Sequence, residues 1–135
     1  MKYFNIKFLF ISLFIIHGLK ISANVFEGYT LFTNGNSQGA TTYLINNNYE
    51  IINSWEHSLG VMGITYLFPD STLLVPLQVE NPFMTSLGPE GGWFQKLDWY
   101  GNVKWEYYHY HQNFQPHHDI EPLPNGNFLV IGWER

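Results

Sequence analysis

Three adjacent side chains, His117, His118 and Asp119, are of the types from which acid-base and group-transfer chemistry is built. An imidazole held through one ring nitrogen by a carboxylate leaves its other nitrogen free as base, nucleophile or anion donor near neutral pH. Neighbours in an extended strand point to opposite faces, so His117 is expected to share a face with Asp119 while His118 points away. The same run also reads as packing, with both imidazoles half-buried and Asp119 bonded to turn backbone. A second group, His109 and His111, is spaced to share one face of a strand. With His117 or His118, and Asp119 to complete it, this group offers a metal site. The chain between them lacks the spacing of metal motifs, and Tyr107-Tyr108-His109-Tyr110-His111 reads as readily as an aromatic outer strand. No bound metal is therefore expected. His57, just after Trp55 and Glu56, is expected in a surface loop.

What must position the His-His-Asp run is a hairpin. Pro124-Asn125-Gly126-Asn127 predicts a two-residue primed turn, because Asn-Gly reaches positive φ cheaply. The run then heads the first strand, and Phe128 to Ile131 forms the second. An earlier stretch has the same plan, with Ile64 to Leu67, a Phe68-Pro69-Asp70-Ser71 turn and Thr72 to Val75. Pro69 matches Pro124 and Leu73 matches Phe128 at an offset of 55. A second hairpin type alternates with it. Thr42 to Ile45, a turn at Asn46 to Asn48, and Glu50 to Trp55 correspond to Trp93 to Asp98, Trp99 to Asn102, and Val103 to Tyr107. Trp55 is thereby matched to Trp105, 50 positions later. Tyr29 to Thr33 forms a short strand before the turn-rich Asn34 to Ser37.

Four strands per unit of about 40 to 55 residues is the pattern of a β-propeller blade. The expected fold is all-β, a β-propeller represented by one complete blade, Ile64 to Tyr107, with a half-blade on each side. A closed ring needs at least about four blades, so the chain is read as the N-terminal part of a longer protein. A stand-alone sandwich of about eight strands is the alternative, although sandwiches do not require a fixed period. Val79 to Gly92, with apolar Phe83, Met84 and Leu87, is expected to pack over one end, where propellers bind ligands.

Length and composition narrow the function classes. The 135 residues suit one domain, and 19% aromatic against 13% charged residues suits a β-rich core. The absence of cysteine excludes a disulfide framework, a thiolate metal site and a cysteine nucleophile. Residues 1–23 read as a signal peptide, with basic Lys2 and Lys7, an apolar run from Phe8 to Ile16, and small Ser22-Ala23 at the cut. That run is about half of the roughly 20 residues a membrane span needs. Residues 24–40 read as a lead-in and 41–135 as the truncated propeller domain. Cleavage removes Lys2, Lys7 and Lys20, and the formal net charge then falls from −5 to −8. Such an acidic chain suits neither nucleic acid nor an anionic membrane, and export leaves it periplasmic or extracellular. Neither a Gly-rich phosphate loop nor a Gly-x-Ser-x-Gly elbow occurs, so a nucleotide cofactor has no visible seat. Trp55 and Trp105 read as packing between blades, and Trp93, Trp99 and Trp133 as candidates for an aromatic ligand surface.

In order and spacing, four pieces resemble the arylsulfotransferase family. They are Gly28-Tyr29-Thr30-Leu31-Phe32; Thr42-Tyr43-Leu44-Ile45 with a turn and Trp55; Leu97-Asp98-Trp99-Tyr100-Gly101-Asn102-Val103-Lys104-Trp105; and His117-His118-Asp119 through Leu123-Pro124-Asn125-Gly126-Asn127. The resemblance runs from about Gly28 to Arg135. Quinoprotein propellers share the strand-turn-strand-Trp element, but their Ala-x-Asp-x-x-Thr-Gly approach is missing before Trp55 and Trp105. The resemblance implies a six-bladed exported propeller that moves a sulfuryl group from a phenolic sulfate ester to another phenol. It implies ping-pong transfer through a sulfated histidine, with no cofactor or nucleotide donor, and small aryl sulfates and phenols as partners. His117 and His118 would bind sulfate, either acting as acid or base, and Asp119 would orient them. The nucleophilic histidine would lie beyond this sequence, leaving the chain inactive alone. The alternative is a non-catalytic secreted propeller that binds a ligand through its loops, and hydrolysis of the ester by water is a third reading.

Overall fold

The computed structural model describes residues 26–84 and 91–135. The expected signal peptide and Leu87 lie outside them. The described chain is all-β, with every strand pair antiparallel and no helix among the described residues. The first sheet holds β1 (Tyr29–Asn36), β2 (Gly39–Asn46) and β3 (Ile51–His57). The second holds β4 (Tyr66–Leu67), β5 (Leu73–Leu77), β6 (Trp93–Leu97) and β7 (Val103–Tyr108), and the third holds β8 (Phe114–Pro122) and β9 (Phe128–Glu134). In each sheet, strands neighbouring in sequence are neighbours in space. β1 is longer than expected. It pairs with β2 from Tyr29↔Asn46 to Asn36↔Gly39, so the first sheet begins inside residues 24–40 and Asn34 to Asn36 are strand rather than turn.

The two hairpin types recur as the sequence predicts, and a common turn fixes their register. At Asn46, Phe68, Asp98 and Leu123 the backbone N–H bonds to the carbonyl four residues on, at 2.7 to 3.1 Å. The carbonyl of the same residue accepts from the N–H three residues on. That third residue is left-handed each time: Tyr49 (φ 64°), Ser71 (φ 63°), Gly101 (φ 85°) and Gly126 (φ 85°). These are three-residue loops ending in a left-handed residue. The two-residue primed turn expected at Asn125-Gly126 is corrected accordingly, since it would need positive φ at Asn125 too and only Gly126 has it.

With turns aligned, Ser71 and Gly126 stand 55 positions apart, as expected, and Tyr49 and Gly101 stand 52 apart. The β2–β3 and β6–β7 hairpins also share a bulge, before Ile45↔Ile51 and before Leu97↔Val103. Trp55 therefore corresponds to Tyr107, and Trp105 to Asn53. The expected Trp55–Trp105 match is two positions out, which keeps the face but changes the partner.

The sheets stack in series. Leu73, Val75 and Leu77 of β5 pack with Leu44 and Trp55 of the first sheet. Leu74 lies in a second cluster with Phe94 and Ile120, flanked by Phe128 and Val130 of the third sheet. All five β5 residues are buried, so this strand of the middle sheet is covered on both faces. That explains why β5 reads as an unbroken apolar run rather than an alternating one. Equivalent positions also touch between the second and third sheets. The Tyr66 hydroxyl donates to the Ile120 carbonyl at 2.9 Å and lies 3.4 Å from Glu121 Oε2, its own equivalent.

The two ends of the strands differ in character. The four tight turns connect β2–β3, β4–β5, β6–β7 and β8–β9, and so close one end. At the other end lie the β1–β2 turn, Ser58 to Thr65, the described parts of Gln78 to Gly92, and His109 to Asn113. Backbone bonds stitch this second end together: Gly60 donates to Ser37 (3.3 Å), Gln78 to Gly60 (2.7 Å), and Gly91 to Pro116 (3.0 Å). In the Val79 to Gly92 stretch Met84 is buried and Phe83 exposed, and Asn81 Nδ2 donates to the His111 carbonyl at 3.2 Å.

Candidate functional site

The His-His-Asp run lies in β8, but not in regular strand. Pro116 pairs with Gly132 and Ile120 with Val130, leaving His117, His118 and Asp119 opposite Ile131 alone. Extra residues in one strand bend it and re-aim its side chains. The expected alternation, with the imidazoles on opposite faces, is therefore not what forms. The two rings lie against each other, with centroids 4.0 Å apart and planes at 63°. His117 also meets the Trp133 indole edge-on at 5.1 Å.

Two glycines make room for this bulge. Gly63 is left-handed (φ 104°), and a Cβ on it would overlap the His118 carbonyl. Gly63 and His118 are equivalent positions, 55 apart. Gly91 faces the His117 carbonyl, where a Cβ would come within 2.9 Å. Beneath it Gln115 is fully buried, its Nε2 donating to the Gly91 carbonyl. Close backbone approach is the general reason for glycine at such points. Only the geometry of the bulge reveals which glycines serve it.

Asp119 does not hold an imidazole: among the described residues no hydrogen bond joins it to His117 or His118. Its charge acts on Tyr66 instead. Burial first, then the carboxylates of Glu121 and Asp119, push the Tyr66 hydroxyl above its ordinary value. The pair thus presents two imidazoles on one side of a strand, an indole beside one of them, and no carboxylate bonded to either. Such a pair can donate N–H groups to an anion or exchange a proton with it.

The other histidines are placed differently from expectation. β7 ends at Tyr108, and His109 and His111 follow it in the turn to β8, where both rings lie against Phe114 at 4.8 and 5.7 Å. Among the described residues no three His, Asp or Glu side chains converge as a metal ion would require. Trp99 packs edge-on to Trp55, and Trp93 stacks on Tyr108. Of the three tryptophans weighed for a ligand surface, Trp133 alone meets the histidine pair.

His57 was expected in a surface loop. It closes β3 and is buried, with 7% of its surface exposed. Its Nε2 lies 2.8 Å from Thr42 Oγ1, which lies 2.8 Å from Thr33 Oγ1, and its Nδ1 has no partner among the described residues. Burial pushes the imidazole down to about 4 from 6.5. Between those values the unfolded chain binds a proton that the folded chain refuses, so folding stability falls as pH drops from 6.5 towards 4. The loss is expected to be on the order of 3 kcal/mol. Urea unfolding of the parent and His57→Gln at pH 7 and pH 4 checks it, because only the parent should show this increment.

Comparison of the chain with family models, with curated proteins and with solved structures returns no match. The fold and the site define its class: an all-β chain of serially stacked antiparallel sheets carrying a histidine pair on a bulged strand.

Proposed function

We propose that the chain is part of an exported β-propeller, and that the His117–His118 pair is the sulfate seat of an aryl sulfate sulfotransferase. The propeller reading is supported by two hairpin types that alternate along the chain, in sheets of three, four and two strands among the described residues that stack in series and whose equivalent positions touch. Blades radiating from an axis have this relation, because equivalent positions of neighbouring blades approach each other where their inner strands face the axis. The observation that carries the function is the bulge. It turns both imidazoles to one side, with an indole beside His117. Two N–H donors suit sulfate oxygens, and the indole edge suits the aryl ring of the donor ester.

In the proposed reaction the ester S–O bond breaks as an N–S bond forms to a histidine, and the donor phenol leaves with a proton. The acceptor phenol then gives up its proton and attacks sulfur, and the N–S bond breaks. His117 and His118 hold the sulfate oxygens and relay these protons. The transferring histidine is a further imidazole, distinct from this pair. Export, to the periplasm or outside the cell, belongs to the same proposal and rests on residues 1–23.

The intact gene product is expected to release 4-nitrophenolate from 4-nitrophenyl sulfate when phenol is supplied. Removing both imidazoles (His117→Ala with His118→Ala) should lower kcat/KM at least about 100-fold, the scale of lost transition-state donors. One observation favours the binding-only alternative, namely that neither imidazole is held by Asp119. Saturable binding of the ester without transfer would establish that alternative, and neither binding nor transfer would end both.

A further inference from the structure

The third sheet has two strands among the described residues where the second has four. Two uncovered surfaces meet there. β9 has one backbone edge unpaired among the described residues, and its Leu129 and Ile131 are 59% and 60% exposed, although its equivalent β5 is wholly buried. All six residues of β7 are exposed, although Trp55 on the equivalent β3 is 1% exposed. Between β7 and β9 runs a groove of about 1370 Å3 walled by Trp105, Tyr107, Phe114, Phe128 and Val130. An unpaired edge beside an apolar wall is a template for strand addition.

What covers the equivalent surface of the first sheet identifies the occupant. There the β6–β7 hairpin lies on β3, and its turn supplies two carbonyls. Asn53 Nδ2 donates to the Trp99 carbonyl at 2.7 Å, and Trp55 Nε1 donates to the Asp98 carbonyl at 3.0 Å. The equivalents on β7 are Trp105 and Tyr107, and each carries a donor, an indole N–H and a phenol O–H. We infer that the groove seats a β-hairpin of the β6–β7 kind. It adds its first strand antiparallel to the open edge of β9 and offers its turn carbonyls to Trp105 Nε1 and Tyr107 Oη. The occupant is polypeptide with alternating apolar side chains and an Asp-x-x-Gly-Asn turn. The inference rests on the propeller half of the proposed function and not on its sulfate chemistry, so its failure removes the blade reading and leaves the assignment of His117 and His118 to be tested separately.

The test is titration of the full chain with a synthetic peptide copying Trp93 to Tyr108, read by amide hydrogen exchange. Amides along the open edge of β9 are expected to slow at least about tenfold. Tyr107→Phe should weaken peptide binding about fivefold, the scale of one hydrogen bond, and Trp105→Ala at least about tenfold. A peptide carrying Gly101→Val, which disfavours the left-handed turn, should bind at least about tenfold more weakly. Unchanged exchange along β9, or equal binding of the Gly101→Val peptide, overturns the inference. So does a dimer of the chain that protects β9 and excludes the peptide, or an aryl ligand that fills the groove and leaves β9 exchanging.

Discussion

Trp55→Ala is expected to remove about 4 kcal/mol of folding stability, a large part of the 5 to 15 kcal/mol typical of a domain. Trp55 is the largest fully buried side chain and joins the first two sheets. It packs with Leu44, Leu73, Val75, Leu77 and Leu97, and meets the Trp99 ring edge-on at 5.5 Å. Its indole also satisfies the Asp98 carbonyl in the β6–β7 turn. Truncation therefore leaves a cavity and removes one of two donors from the Asp98 carbonyl, which keeps its bond from the Gly101 N–H, whereas Trp55→Phe keeps most of the packing and should cost about half as much. Trp105, which looks like its counterpart in the sequence, is 42% exposed. Trp105→Ala should accordingly cost about 1 kcal/mol, its main contact being the Phe128 ring at 5.8 Å. Urea midpoints for the three variants check the ranking, and equal losses for Trp55→Ala and Trp105→Ala would refute the register assigned to the repeat.

Gly63→Ala is expected to cost at least about 3 kcal/mol, and to displace the histidine pair even where the chain still folds. Two penalties combine. A left-handed φ of 104° strains any L side chain, by about 1 to 2 kcal/mol. The new methyl would also overlap the His118 carbonyl, which is backbone and does not swing aside. Gly101→Ala separates the two, because Gly101 has φ 85° and nothing within 4 Å of a Cβ. Gly101→Ala should cost about 1 kcal/mol and leave the His117 and His118 resonances unmoved. If the two alanine variants lose equal stability, the contact between Gly63 and His118 contributes nothing.

Much of the scaffold was legible in the sequence because local chemistry fixes it. Pro69 and Pro124, each at the first loop position, with Gly101 and Gly126 at the left-handed one, place three of the four turns by residue type alone. Tyr49 and Ser71 hold the same conformation without being glycine, so aligning the turns, and with them the two tryptophans, needed the backbone. The length of the Pro124 to Gly126 loop is not written in its residue types, because Asn-Gly serves both two- and three-residue loops. Which one forms depends on how β8 and β9 pair beyond it.

The candidate site was legible in composition but not in geometry. His117 and His118 are adjacent in any reading. Their shared side follows from the run of three residues opposite Ile131, a property of two strands together and of Gly63 and Gly91 far away in sequence. His57 was misplaced for a similar reason, since its burial comes from the packing of the first sheet on the second and not from its neighbours Trp55 and Glu56.

The histidine pair can be tested directly in the chain itself, by following isotope-labelled imidazole resonances while 4-nitrophenyl sulfate is added. The resonances of His117 and His118 are expected to shift together and saturably, the Trp133 indole moving with them, while His57, His109 and His111 stay in place. Shifts confined to His109 and His111, or no saturable shift at His117 and His118, would contradict the assignment of this pair as a sulfate seat.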